Sequence, residues 1–197
     1  KHKSALFSFR FPCIKTARII SCNVFFYIGM ATKKTSKTSD SLVRLYIGAD
    51  HRGFNLKEQI KESLLSKNVS FIDCGDITYK KNDDYPVYAA AVAENVSHNS
   101  VDGYHSKGIL ICGSAEGMCI AANKFKWIRA AIVENADQTK LAVQHDHANI
   151  ICLPANTLKI NNAKKIIDAF LKAKPSKATR HVRRIKKILK IEKQNFK

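Results

Sequence analysis

The stretch from Gly108 to Lys124 constrains the fold more than any other part of the chain. Ile109-Leu110-Ile111 is an apolar run, the pattern of a buried strand. A turn of small residues, Gly113-Ser114-Ala115-Glu116-Gly117, follows it. A helical segment then carries Met118, Ala121 and Ala122 on one side. A strand that feeds a helix through such a turn leaves backbone N–H groups unpaired at the helix start. Those donors are a ready site for negative charge. Cys112 stands where strand becomes turn. A nucleophile or base beside a cluster of donors is equipped for chemistry. The alternative is a packed cysteine before an ordinary turn, because free cysteines are among the most buried residues.

The rest of the chain repeats the strand-then-helix pattern. Val43 to Ala49 reads as a strand, broken by Asp50-His51-Arg52-Gly53. Leu56, Ile60, Leu64 and Leu65 follow at helical spacing. Val69 to Cys74 reads as a second strand, and Pro86 is placed to start a helix over Val87 to Val96. The central helix is expected over Glu116 to Phe125 and a strand over Ile128 to Val133. Asp137 is expected to cap a helix carrying Leu141 and Ala142. Ile150 to Leu153 is the last strand, and Ile160 to Lys172 is amphipathic, with Ile166, Ile167, Phe170 and Leu171 facing in. Strands alternating with helices predict an α/β fold: a doubly wound parallel sheet of about five strands with a C-terminal extension helix. Ligands bind such sheets outside the carboxyl ends of the strands. Asp50, His51 and Cys112 lie near such ends, and Gln144 to His147 closes a helix leading into a strand.

The formal net charge of +18 points to nucleic acid until it is located. Residues 1–40 hold eight Lys/Arg against one acid, and residues 172–197 hold eleven against one. The middle, 41–171, has fifteen basic and fourteen acidic residues. A nucleic-acid footprint belongs on the folded face that docks, so no nucleic-acid partner is expected. None of the six cysteines forms a C-x-x-C pair, and the histidines do not complete zinc spacing. Reduced thiols in a cytoplasmic setting are the expectation.

Residues 1–42 read as a leader, disordered or upstream of the native start. Ile19 to Met30 is apolar and too short for a comfortable transmembrane helix, so no membrane partner is expected. A signal or transit peptide is one reading of the segment. The preferred one starts the protein at Met30. Residues 43–173 form the expected α/β domain, and 174–197 a basic C-terminal helix expected to pack on a neighbouring subunit.

Ile47-Gly48-Ala49-Asp50-His51-Arg52-Gly53-Phe54, Asp84-Tyr85-Pro86, Gly108 to Gly113, Ile120 to Lys124, His145 and Arg180-His181-Val182-Arg183-Arg184 together resemble the type B ribose-5-phosphate isomerase family. That family extends to galactose-6-phosphate and allose-6-phosphate isomerases. The resemblance runs from about Val43 to about Ile188. It implies a flavodoxin-like fold, a homodimer or dimer of dimers with shared active sites, and aldose–ketose isomerisation of a sugar phosphate without metal or other cofactor. It implies that Cys112 moves a proton between C1 and C2, that His145 opens the sugar ring and that Asp50 binds sugar hydroxyls. His51, Arg180 and Arg184 would hold phosphate, the arginines coming from a neighbouring subunit. Backbone amides from Gly113 through Ala115 to Gly117 would receive the enediolate oxygen. Tyr85 and Asp146 complete the implied substrate contacts.

The chemistry is coherent with these residue types. A helix start and the Ser114 hydroxyl are expected to favour the Cys112 thiolate. Arg180 and Arg184, spaced i,i+4, share a helix face and suit a phosphate. Four positions depart from the family pattern. Ala115 stands where glycine is usual, Glu116 adds charge beside the turn, Asp146 replaces an amide, and Asn156 replaces an arginine. They leave two alternatives open: a catalytically weak homologue serving as a binding or partner subunit, or an isomerase for a hexose 6-phosphate.

Overall fold

Strands with no polar face to give to water end up in the middle of a sheet covered on both sides. The computed structural model, which describes residues 44–98 and 106–196, has this arrangement. In β3 (Ser106–Cys112), Ile109, Leu110 and Ile111 are fully buried. It is flanked by β1 (Arg44–Ala49) and β5 (Ile150–Pro154). The short strands β2 (Ile72–Asp73) and β4 (Ala130–Ile132) form the edges. The order is β2-β1-β3-β5-β4, with every pair parallel.

Alternation along the strands divides the core in two. Leu45, Ile47, Ile109, Ile111, Ile151 and Leu153 face α1 (Phe54–Ser66), α4 (Ala136–Asp146) and α5 (Ile160–Lys172). Tyr46, Leu110, Cys112, Ile150 and Cys152 face α2 (Tyr85–His98) and α3 (Glu116–Ala122). The extension helix, α6 (Thr179–Asn195), touches α4. No helix among the described residues is long and apolar enough to cross a membrane.

The doubly wound parallel sheet agrees with the expectation; several boundaries do not. The second strand shrinks from 69–74 to two residues, because an edge strand needs pairing on one side only. The fourth strand keeps three residues, although Ile128 and Val133 beside it are buried. The central helix stops at Ala122, not Phe125. Lys124 and Phe125 donate to carbonyls three residues back, and the Asn123 side chain brackets the N–H and C=O of Ala130 at 2.9 Å each. Asn135, not Asp137, caps α4: its Oδ1 accepts from the Gln138 N–H at 2.8 Å. Leu65 and Leu141 point outward. The leader reading falls on residues outside those described.

Gly53 sets the start of α1. A Cβ there would lie 2.3 Å from the Ile111 carbonyl oxygen, so the helix can begin against β3 only without a side chain. Gly53→Ala must push the two apart. Overpacking of this kind costs about 2 kcal/mol, and thermal unfolding should shift down by about 5 °C.

Candidate functional site

The pairing of Ala49 with Ile111 makes β1 and β3 end together, so Asp50 and Cys112 emerge side by side at the carboxyl edge. Both are almost fully buried, at 6% and 5% exposure. Asp50 Oδ1 accepts from the Gly53 N–H at 2.9 Å. Burial pushes the Asp50 carboxyl above its ordinary range, against that hydrogen bond.

The turn after Cys112 carries the donors. Ala115 is left-handed, at φ 75°, a conformation costing about 1 kcal/mol for a residue with a Cβ. Its N–H donates to Cys112 Sγ at 3.1 Å. The N–H groups of Met118 and Ser114 also favour the thiolate. Burial nevertheless outweighs them, helped by the Asp50 charge, and the thiol sits above its ordinary range. The expected lowering is thus not achieved within one chain: the donors offset only part of the desolvation. The Ser114 hydroxyl engages Glu116, whose carboxyl it holds low, so Ser114 offers the sulfur its N–H rather than its hydroxyl. Glu116 is exposed, and its carboxylate also accepts from its own backbone N–H, taking up one donor of the turn.

Other residues, predicted and not, gather around this edge. A Cβ on Gly117 would lie 2.7 Å from Tyr85 Cζ, so the bare backbone lets the Tyr85 ring rest on the start of α3. Arg52 Nη1 and Asn156 Nδ2 each lie 3.3 Å from the point where a side chain on Gly113 would begin. His51 Nδ1 is 2.6 Å from Asp83 Oδ1.

His145 and Asp146 stand at the other edge, because α4 runs back from β4 to the amino end of β5. The His145 ring stacks on His181 of α6, with centroids 4.2 Å apart and planes 11° from parallel. Arg180 Nε donates to His181 Nε2 at 3.0 Å. Among the described residues, none hydrogen-bonds the buried His181 Nδ1. Burial, then the charges of His145, Arg180 and Arg184, lowers the His181 pKa. His145, Arg180 and Arg184 thus form one basic group around His181, with the Asp146 carboxylate beside it. β5 separates it from Cys112, four residues or about 13 Å along the sheet. A single chain does not bring the two groups together.

Sequence reasoning passed over three residues. Arg52 lay inside a motif read for its neighbours. Asp83 contacts His51 across 32 positions, and nothing local distinguishes it from Asp84. His181 gains its place only from the docking of α6 on α4. Among the described residues, no group of three or more His, Cys, Asp or Glu is placed to hold a metal ion.

The thiols differ enough to be told apart. Cys119 is part-exposed, and a hydrogen bond from Cys152 brings it down to about 7. Cys112 is buried and shifted up. Iodoacetamide at pH 7 should therefore label Cys119 before Cys112, read by peptide mass spectrometry; the reverse order would contradict this environment for Cys112.

The family model described as Ribose/Galactose Isomerase matches residues 45–188. A probable ribose-5-phosphate isomerase B of Mycoplasma genitalium is 43% identical over 150 residues, 76% of this chain and 96% of that protein. The ribose-5-phosphate isomerase B of Escherichia coli K12 is 38% identical over 149 residues, 76% of this chain and 96% of its own. The solved structure of the Mycoplasma genitalium protein with bound ribulose-5-phosphate superposes with a TM-score of 0.72 at 42% identity, covering 77% of this chain and 97% of that one. The type B ribose 5-phosphate isomerase of Trypanosoma cruzi gives 0.70 at 35% identity, covering 77% and 97%. With the parallel sheet and the Cys112 turn in place, these likenesses make the chain a member of the ribose/galactose isomerase family.

Proposed function

We propose that the chain interconverts ribose 5-phosphate and ribulose 5-phosphate through an enediolate. The observation that carries this reading is a sulfur held 3.1 Å from a backbone N–H at the mouth of an amide-lined turn. Relatives across three quarters of the chain bear the name of that enzyme, and one was solved with ribulose-5-phosphate bound.

Cys112 is the base: as thiolate it takes the proton from C2 of the open aldose and returns it at C1. Amides between Gly113 and Gly117 face the oxygen on which charge grows, at no reorganisation cost during the reaction. Asp50, beside the sulfur, accepts from sugar hydroxyls, and Tyr85 closes one side. His145 moves the proton that opens the ring. His51, Arg180 and Arg184 hold the phosphate, the arginines presenting two guanidinium forks from successive turns of α6.

Because the Cys112 and His145 groups occupy opposite edges of one sheet, each site takes the Cys112 edge from one copy and His145, Asp146, Arg180 and Arg184 from another. A homodimer or a dimer of dimers satisfies this. Two of the departures are accommodated: Ala115 adopts the left-handed turn, and Glu116 faces water.

Removing the base by Cys112→Ala should lower turnover of ribose 5-phosphate by about a thousandfold. An unchanged rate would sink the assignment. The thiolate is the active form and burial disfavours it, so kcat/KM should climb as pH rises through neutrality. Activity should fall away as pH drops. Mixing inactive Cys112→Ala copies with inactive His145→Ala copies should restore about a quarter of the parental rate, since half the mixed dimers' sites are whole. No recovery on mixing would place both residues in one copy's site.

A further inference from the structure

Asp83 is an unusual partner for a binding histidine. Its side chain is only 6% exposed, while that of His51 is 28% exposed, and their 2.6 Å contact is the one ion pair of Asp83 among the described residues. The carboxylate is braced from behind. The Tyr88 hydroxyl donates to Asp76 Oδ2 at 2.6 Å and also hydrogen-bonds Asp83. Burial, together with these two acids, keeps that phenol protonated. Lys57, fully buried, donates to the Asp76 carbonyl at 2.9 Å and to Asp73 Oδ2 at 2.7 Å. The segment carrying Asp76 and Asp83 is therefore tied to both α1 and α2.

With Nδ1 committed to Asp83, Nε2 is the nitrogen of His51 left for a ligand. We propose that Asp83 is a positioning residue: it accepts from Nδ1–H and so sets the orientation of the His51 ring, in which the imidazolium's Nε2–H donates to the phosphate of the substrate. The general device is familiar from histidines whose second nitrogen is held by a carboxylate. Here it secures a single phosphate contact before the sugar arrives, which lowers the ordering cost of binding. The inference rests on the isomerase reading for its ligand, though not for its geometry.

The test compares Asp83→Ala, Asp83→Asn, His51→Ala and the Asp83→Ala/His51→Ala pair in the full chain. Asp83→Ala should raise KM for ribose 5-phosphate about tenfold with kcat little changed, the effect of one charge-assisted hydrogen bond. Asp83→Asn keeps an acceptor at the same place and should recover most of the loss. In the His51→Ala background the Asp83 change should add almost nothing, because its effect runs through the missing ring. Additive losses in the double variant, or a fall in kcat with KM unmoved, would overturn the proposal.

A second readout does not depend on turnover. Nitrogen NMR of the His51 ring with inorganic phosphate bound should show both nitrogens protonated in the parent, and in Asp83→Ala a loss of the Nδ1 hydrogen-bond signature with weaker binding of inorganic phosphate. A parent chain without isomerase activity would sink the functional reading alone. An unchanged Nδ1 signal and phosphate affinity in Asp83→Ala would sink this one.

Discussion

The register between β1 and β3 is the constraint on which the site depends. Ala49 opposite Ile111 delivers Asp50 and Cys112 to the same edge, on strands packed from both sides. Side chains alternate along a strand, so a slip of one residue would send Cys112 to the opposite layer and Ile111 into the turn. The buried run at 109–111 resists such a slip. Gly53 adds a second lock, since α1 begins only where the Ile111 carbonyl leaves room.

On this frame two electrostatic tendencies compete at the sulfur. Burial disfavours the thiolate, and the donors of the turn favour it. In one chain burial wins. An anion seated on the same donors would compete with the thiolate for them, whereas guanidinium groups brought from a second copy would favour both charges. The basic group around His145 and Arg180 is of the kind needed, and it lies where its own Cys112 is out of reach.

The sheet was legible from sequence because its signal is local: apolar runs, helical spacing and small-residue turns. Boundaries were less so. Asn123 and Asn135 end and begin helices through side-chain bonds that compete with Phe125 and Asp137, residues the pattern favoured. Within the site, Cys112 and its turn were readable from one continuous stretch. The Asp83–His51 pair and the His145–His181 stack were not, because each joins segments more than thirty positions apart. Nor does a sequence reveal the balance between burial and donors. The resemblance implied residue roles, yet only the course of α4 placed His145 at the far edge of the sheet.

The left-handed backbone at Ala115 narrows the routes by which this position drifts. One base change in an alanine codon leads to valine, threonine, proline, serine, glycine, aspartate or glutamate. Branching at Cβ excludes valine and threonine from this conformation, and a fixed negative φ excludes proline. The site is fully buried, so a carboxylate or an unpaired hydroxyl meets no water. Glycine alone remains an unstrained exit, and genetic variation here is effectively a two-letter alphabet.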